Sequence, residues 1–231
     1  MTDATTRWWW IRHAPVTVNQ GRIYGQTDHP CDCGELAVFQ ALARLLPADA
    51  VWVTSNLRRT HQTADAVRAH LAAALPDYER HPELAEQHFG DWQGKTYDEA
   101  KDGGLGHWHR FWLSPADVAP PGGESFVDLV NRVAPKIHAL TERHAGRDIV
   151  AVTHGGTIRA ALSDALRLTP EAALRLVVDN CSLTRIDHVP GPTGSHAPDE
   201  THAWRVEFAN LSPKRLVGAG VAGAGVTGAV A

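Results

Sequence analysis

The chain has 231 residues, of which 43% are hydrophobic and 21% charged, with a formal net charge of −4; this is enough for one large domain with a substantial core. The acidic balance and a pI near 6.4 argue against a general nucleic-acid binder, which needs clustered Lys and Arg. A cationic pocket on an acidic surface remains open, and no apolar run approaches membrane-spanning length.

The start, Met1 to Arg7, lacks the basic opening, apolar core and cleavage site of a signal peptide. Three cysteines, Cys31, Cys33 and Cys181, offer no disulfide framework and suit a reducing compartment. The cytoplasm is the expected location. Cys31-Asp32-Cys33 lacks the C-x-x-C spacing and a distant partner pair, so it reads as a loop with incidental thiols.

In chain order, the first strand is expected over Arg7 to Arg12, the nearly continuous apolar run Trp8-Trp9-Trp10-Ile11 that marks a strand covered on both faces. A helix over Gly34 to Leu46, a strand over Val51 to Thr54 and a helix over Leu57 to Leu75 follow. The segment Asp77 to Gly123 is irregular and carries Trp92, Trp108 and Trp112; it reads either as a crossover roofing a pocket or as cover for the helical layer. Beyond it come a helix over Ser125 to His144, a strand over Ile149 to Thr153 and a helix over Thr157 to Leu168. In that last helix Ile158, Ala161, Leu162 and Ala165 form one buried stripe. Strands over Ser182 to His188 and Ala203 to Phe208, joined through a Pro/Gly-rich turn, suggest an antiparallel hairpin at one edge. Alternating strands and helices predict an α/β fold, a three-layer sandwich around a mostly parallel sheet. Residues 1–212 are read as a single catalytic domain, and the Gly/Ala/Val-rich stretch 213–231 as a disordered tail.

Two predicted strands end in histidine: Arg12-His13-Ala14 follows the first, and His154-Gly155-Gly156 follows Ile149 to Thr153. Open parallel sheets hold ligands beyond their carboxyl strand ends. A neutral histidine with one nitrogen fixed and the other free can attack phosphorus. The charge on a transferring phosphoryl group then calls for cationic clamps. Arg12 and Arg59 are the natural clamps, because guanidinium offers a planar fork to phosphate oxygens. Arg58 is the rival to Arg59, since adjacent helix positions point about 100° apart. The leaving oxygen needs a proton from a carboxylic acid, for which Glu86 is the candidate and Asp91 the runner-up. Arg22 and Tyr24 read either as substrate contacts or as a turn after the first strand. The fourteen histidines, including His81, His88, His107 and His109, come without a matched carboxylate or cysteine set, so no metal site is expected.

Arg12-His13, Ser55 through Ala64, Glu86 through Gly94 and Thr153 through Gly156 occur in the order seen in the histidine phosphatase superfamily, which the chain resembles from Arg7 to about Phe208. The resemblance implies the phosphoglycerate-mutase-like fold, with His13 as the phosphorylated nucleophile and Glu86 as proton donor. It implies His154 with Arg12, Arg59, Asn19 and Gly155 around the phosphate, and no metal or other cofactor. Gly21 to Asp28, Pro120 to Ser125 and Asn180 to Thr184 look like stretches of alpha-ribazole phosphatases, which act in cobalamin assembly. The function expected is therefore a phosphomonoesterase for a small phosphorylated metabolite, with alpha-ribazole 5′-phosphate as one substrate candidate. The partners expected are that metabolite, no nucleic acid and no membrane; self-association into a homodimer is compatible with the sequence. The alternatives are a phosphoglycerate mutase or sugar bisphosphatase, the mutase disfavoured by few cationic residues beyond Lys95, Lys101 and Arg110 in the crossover, and a weakly catalytic phosphoryl-ligand binder. The last is motivated by Ala14-Pro15-Val16, which stands where the family usually has Gly and Thr; alanine resists positive φ and proline removes a donor.

Overall fold

The computed structural model describes residues 4–72, 76–101, 115–190 and 202–214. Six strands form one sheet: β1 (Thr6–Arg12), β2 (Val51–Thr54), β3 (Glu79–Arg80), β4 (Asp148–Thr153), β5 (Leu183–Pro190) and β6 (His202–Leu211). Their order across the sheet is β3-β2-β4-β1-β5-β6. The first four run parallel. β5 is antiparallel to β1, and β6 to β5, so β5 alone reverses direction and β6 forms the edge expected of the closing hairpin. Residues 191–201, where the sequence predicts the connecting turn, lie outside the described residues.

The apolar runs alternate between two cores, as period-two side chains on a doubly covered sheet must. Trp8, Trp10, Ile149 and Ala151 face one core, whereas Ile11, Val150 and Val152 face the other. Trp8 and Trp10 stack with centroids 4.8 Å apart, and Nε1 of Trp8 donates to Thr141 Oγ1 at 2.9 Å. The helices are α1 (Leu36–Leu45), α2 (Arg58–Arg68), α3 (Tyr97–Lys101), α4 (Phe126–Arg143), α5 (Gly155–Leu166) and α6 (Pro170–Ala173). α1 and α2 cover the second core, and α4 and α5 the first, giving the three-layer α/β/α sandwich.

Several boundaries differ from the pattern-based reading. α5 begins at Gly155 rather than Thr157, with His154 as its extended N-cap; two glycines disguised the first turn because glycine disfavours helix interiors. α2 stops at Arg68, well short of Leu75, and turns through backbone bonds from His70 and Leu71 to the carbonyls of Val67 and Arg68; residues 73–75 lie outside the described set. α4 runs through Pro135. Its solvent-facing side there lets water replace the lost backbone bond. Its start is fixed by a capping box: Ser125 Oγ accepts from Asp128 N at 3.0 Å while Asp128 Oδ2 accepts from Ser125 N at 2.9 Å.

The crossover contains β3, two short 3-10 turns (Pro82–Leu84 and Gly90–Trp92) and α3. Trp92 is buried with Ile23 and Ala100, against Phe89, in a small cluster apart from the two main cores. It thus ties the loop after β1 to the crossover. Trp108, Trp112, His107, His109 and Arg110 lie outside the described residues. At the other end Pro213 is buried and Lys214 pairs with Glu35; residues 215–231 of the expected tail are outside the description. Among the described residues no helix is long and apolar enough to cross a membrane.

Candidate active site

β1 and β4 pair in parallel from Arg7↔Asp148 to Arg12↔Thr153, and His13 N extends the ladder onto the Thr153 carbonyl at 2.9 Å. Both strands release a histidine at the same level, so the rings of His13 and His154 meet, with centroids 5.2 Å apart and planes at 60°. β2 pairs with the other side of β4 through Thr54↔Val152 and brings Ser55 to that level.

Nδ1 of His13 lies 2.7 Å from the Ala14 carbonyl. A carbonyl only accepts, so Nδ1 carries the proton and Nε2 keeps its lone pair. Nε2 is buried without a partner. The His13 carbonyl is held by Asn180 Nδ2 at 2.7 Å; the next residue, Cys181, takes a positive φ of 58° while its N–H bonds the Arg12 carbonyl at 2.9 Å. In His154, Nε2 lies 2.8 Å from Ser55 Oγ. Ser55 Oγ accepts from Leu57 N at 3.1 Å and also lies 3.2 Å from Thr60 Oγ1; when its hydroxyl proton points to Nε2, the ring proton of neutral His154 sits on the buried Nδ1, which has no partner among the described residues. Burial, followed by the positive charges of Arg59 and Arg12, holds the His13 pKa well below the usual histidine value. Burial and then Arg59 do the same for His154. Both rings are neutral at pH 7.

Arg59 is fully buried. Its Nη1 donates to Thr27 O at 2.9 Å and its Nη2 to Gly25 O at 2.6 Å, leaving the buried Nε unpartnered. Arg58, one residue earlier, is exposed, and its backbone N–H bonds Asp28 at 2.7 Å; of the two arginines, Arg59 is the one that is buried. Arg12 Nη1 donates to the Val178 carbonyl at 2.6 Å, and its Nε is also buried and unpartnered. Tyr24 closes this side, its ring 6.4 Å from that of His13 and 5.1 Å from the Arg59 Cζ. Burial raises its pKa, so it stays a phenol.

Glu86 is half-buried at the entrance of α5. Its Oε1 accepts from Gly156 N at 3.1 Å and Gln87 N at 3.0 Å. The loop carrying it is held from below: Arg132 donates to the carbonyls of Glu83, Ala85 and Glu86, and Thr157 Oγ1 to that of Ala85 at 3.0 Å. Asp91, the runner-up, is exposed. Gly155 is the first helical residue, with Arg12 and Arg159 both 3.5 Å from where its Cβ would be.

Asn19 and Arg22 both make hydrogen bonds in and around the turn after β1. Asn19 Nδ2 donates to the Arg22 carbonyl at 2.8 Å, closing a turn. The Arg22 guanidinium reaches the Gly94 carbonyl at 2.8 Å and Glu99 at 3.1 Å, joining that turn to the crossover. The Ala14-Pro15 departure is absorbed locally. Ala14 is buried without a positive φ, and its N–H donates to Thr63 Oγ1 at 2.8 Å. Proline's missing N–H lies one residue beyond that bond. His81 bonds Glu79, and His88 Nδ1 accepts from Gly90 N; among the described residues no group of three or more His, Cys, Asp or Glu could hold a metal. Ser55, Thr63, Asn180 and Arg132 make contacts at the site that pattern reading does not assign. Ser55 and Asn180 sat inside noticed motifs, but their partners are 99 and 167 residues away.

A model of the histidine phosphatase superfamily (branch 1) matches residues 8–196. A glucosyl-3-phosphoglycerate phosphatase of Mycolicibacterium vanbaalenii is 37% identical over 187 residues, covering 74% of this chain and 75% of the relative. A metal-independent phosphoserine phosphatase of Arabidopsis thaliana is 33% identical over 158 residues, covering 65% and 64%. Among solved structures, a candidate alpha-ribazole-5′-P phosphatase from Escherichia coli superimposes with a TM-score of 0.70 at 25% identity, covering 89% of this chain and 97% of that one.

Proposed function

We propose a two-step phosphoryl transfer to water for this chain, which belongs to the histidine phosphatase superfamily and is a phosphatase. One observation carries the mechanism. His13 Nε2, His154 Nδ1, Arg12 Nε and Arg59 Nε are all buried and without a partner among the described residues, the two imidazole rings lie 5.2 Å apart, and the Tyr24 ring lies against both His13 and Arg59. Each unsatisfied buried polar group costs about 1–3 kcal/mol. A phosphoryl group offers three oxygens to the donors and an electrophilic phosphorus to the single lone pair.

In the first step the His13 Nε2 lone pair forms the N–P bond as the P–O ester bond breaks. The departing oxygen takes a proton from Glu86, whose Oε2 is the less engaged oxygen. In the second, Glu86 takes a proton from water, whose oxygen attacks phosphorus and releases inorganic phosphate and His13. Arg12, Arg59 and the His154 Nδ1–H neutralise the charge that spreads over the equatorial oxygens. Positive charge thus comes from the chain's own side chains, and this supports metal-independent turnover.

The substrate class is a small phosphomonoester. Two relatives are named for esters of glycerate and of serine, both of which carry a carboxylate, and a structural neighbour for alpha-ribazole 5′-phosphate, which carries none. A phosphate-release screen over these esters and fructose bisphosphates separates them. Isomer formation from 3-phosphoglycerate, rather than phosphate release, would mark a mutase. For the mechanism itself, His13→Ala should abolish turnover of p-nitrophenyl phosphate in EDTA while the circular dichroism spectrum stays unchanged. Retained turnover in that variant rules the reading out.

A further inference from the structure

Arg159 stands four residues after Gly155 on α5, hence on the same helix face, and helical side chains lean back over the preceding turn. Its head accordingly lies over Gly155. A Cβ built there would be 3.5 Å from Arg159 Nη1 and 3.5 Å from Arg12 Nε. The two guanidinium groups are therefore within about 7 Å of each other across one glycine. Arg12 belongs to the phosphoryl pocket, and Arg159 is only partly exposed beside it.

The donor count separates the two. Arg159 Nε is fixed on the Leu176 carbonyl at 2.7 Å, just as Arg12 Nη1 is fixed on Val178, so one loop aims both groups. Nη1 and Nη2 of Arg159 donate to no other described residue, whereas the unpartnered atom of Arg12 is its Nε. Burial pulls the Arg159 pKa down, with Glu86 opposing that shift and Arg12 reinforcing it. A like charge thus stands beside Arg12, with the Glu86 carboxylate as its nearby counter-charge among the described residues. Two cations held side by side repel each other unless an anion spans them, and a phosphoryl group on Arg12 leaves the Arg159 fork facing whatever the substrate carries next.

We infer that Arg159 is a specificity-determining residue whose free Nη pair receives a carboxylate borne a few bonds from the phosphoester. Guanidinium and carboxylate match as a two-pronged pair, and groups on neighbouring carbons lie roughly 4–6 Å apart, within the span between the two arginines. The inference rests on the phosphomonoesterase reading and narrows its substrate class to phosphorylated hydroxy or amino acids.

The test compares Arg159→Met with the wild-type chain on 3-phosphoglycerate, O-phosphoserine, ribose 5-phosphate and p-nitrophenyl phosphate. The wild type should favour the two carboxylate esters over ribose 5-phosphate. Arg159→Met should lower kcat/KM on them at least about tenfold, mainly through KM, with p-nitrophenyl phosphate changed less than about threefold. Arg159→Lys, which keeps the charge and loses the fork, should fall between. Equal losses on all four esters mean that Arg159 serves the phosphoryl group or the fold and overturn the inference, as does a wild type with no preference for carboxylate esters. If Arg159→Met loses its circular dichroism signature, Arg159→Lys carries the same comparison. Failure of the wild type to release phosphate from any ester sinks the phosphatase reading instead.

Discussion

A Cβ on Gly156 would stand 2.3 Å from Oε1 of Glu86, because the Gly156 N–H donates to that same oxygen at 3.1 Å. The helix that begins beyond His154 therefore approaches the proposed proton donor too closely for any side chain. Gly156→Ala should push the carboxylate out of place while leaving the histidine pair intact. General acid catalysis is worth about 10²–10⁴-fold and matters most for a poor leaving group. We expect kcat to fall roughly 10–100-fold on alkyl phosphates and little on p-nitrophenyl phosphate. Equal losses on the two would place Glu86 outside the protonation step.

Ser55→Ala removes the partner of His154 Nε2 and with it the arrangement that keeps a proton on Nδ1. A hydrogen bond of about 1.4 kcal/mol corresponds to about tenfold in rate. The expected result is a loss of that order in kcat/KM, with partial recovery in Ser55→Thr, which restores a hydroxyl. Ser55 Oγ also accepts from Leu57 N, so thermal unfolding should be read alongside. A fall in stability with unchanged kcat/KM would reduce Ser55 to a brace for the turn that leads into α2.

Burial and the neighbouring arginines depress both active-site histidines, which fixes a sign. A histidine with a lowered folded-state pKa takes up its proton more readily when unfolded, so folding loses stability as pH falls below about 6.5. Above that pH neither state is protonated and the contribution is flat. Nitrogen-15 spectra of the histidines at pH 6 should show His13 neutral, with Nδ1 protonated and Nε2 bare. An imidazolium signal for His13 at pH 6 contradicts the assignment.

The strand-end histidines were legible because β1 and β4 are apolar on both faces, and such runs advertise a central parallel strand without ambiguity. The site's charged core followed from them. β3 was not legible: two residues, Glu79 and Arg80, at the sheet edge carry no pattern, and their pairing with β2 is set by the neighbour. The choice between Arg58 and Arg59 needed the packing of α2 against the 25–27 loop, whose carbonyls take the Arg59 head. Alanine at position 14 predicts strain only if the loop needs a positive φ there; its φ is not positive and its N–H donates to Thr63 Oγ1. Arg159 stands among the apolar residues of the α5 stripe, where helical spacing assigns it no role.

Cys31 and Cys33, read as incidental thiols, lie with their sulfurs 3.7 Å apart against the start of α2. The bond with Cys33 brings the Cys31 pKa down to about 7, whereas burial pushes Cys181 up to about 12. Thiolate is the reactive form. Iodoacetamide at pH 7.5 should therefore label Cys31 ahead of Cys181, with a rate that rises through pH 7. Preferential labelling of Cys181 by peptide mass spectrometry would overturn that order.

The central claim is a covalent bond between phosphorus and Nε2 of His13. Rapid quenching of the wild-type chain with a ³²P-labelled phosphomonoester, followed by alkaline digestion, should recover label on the peptide containing His13, stable in base and lost in acid. Turnover without any such label, or label on a different residue, contradicts the account.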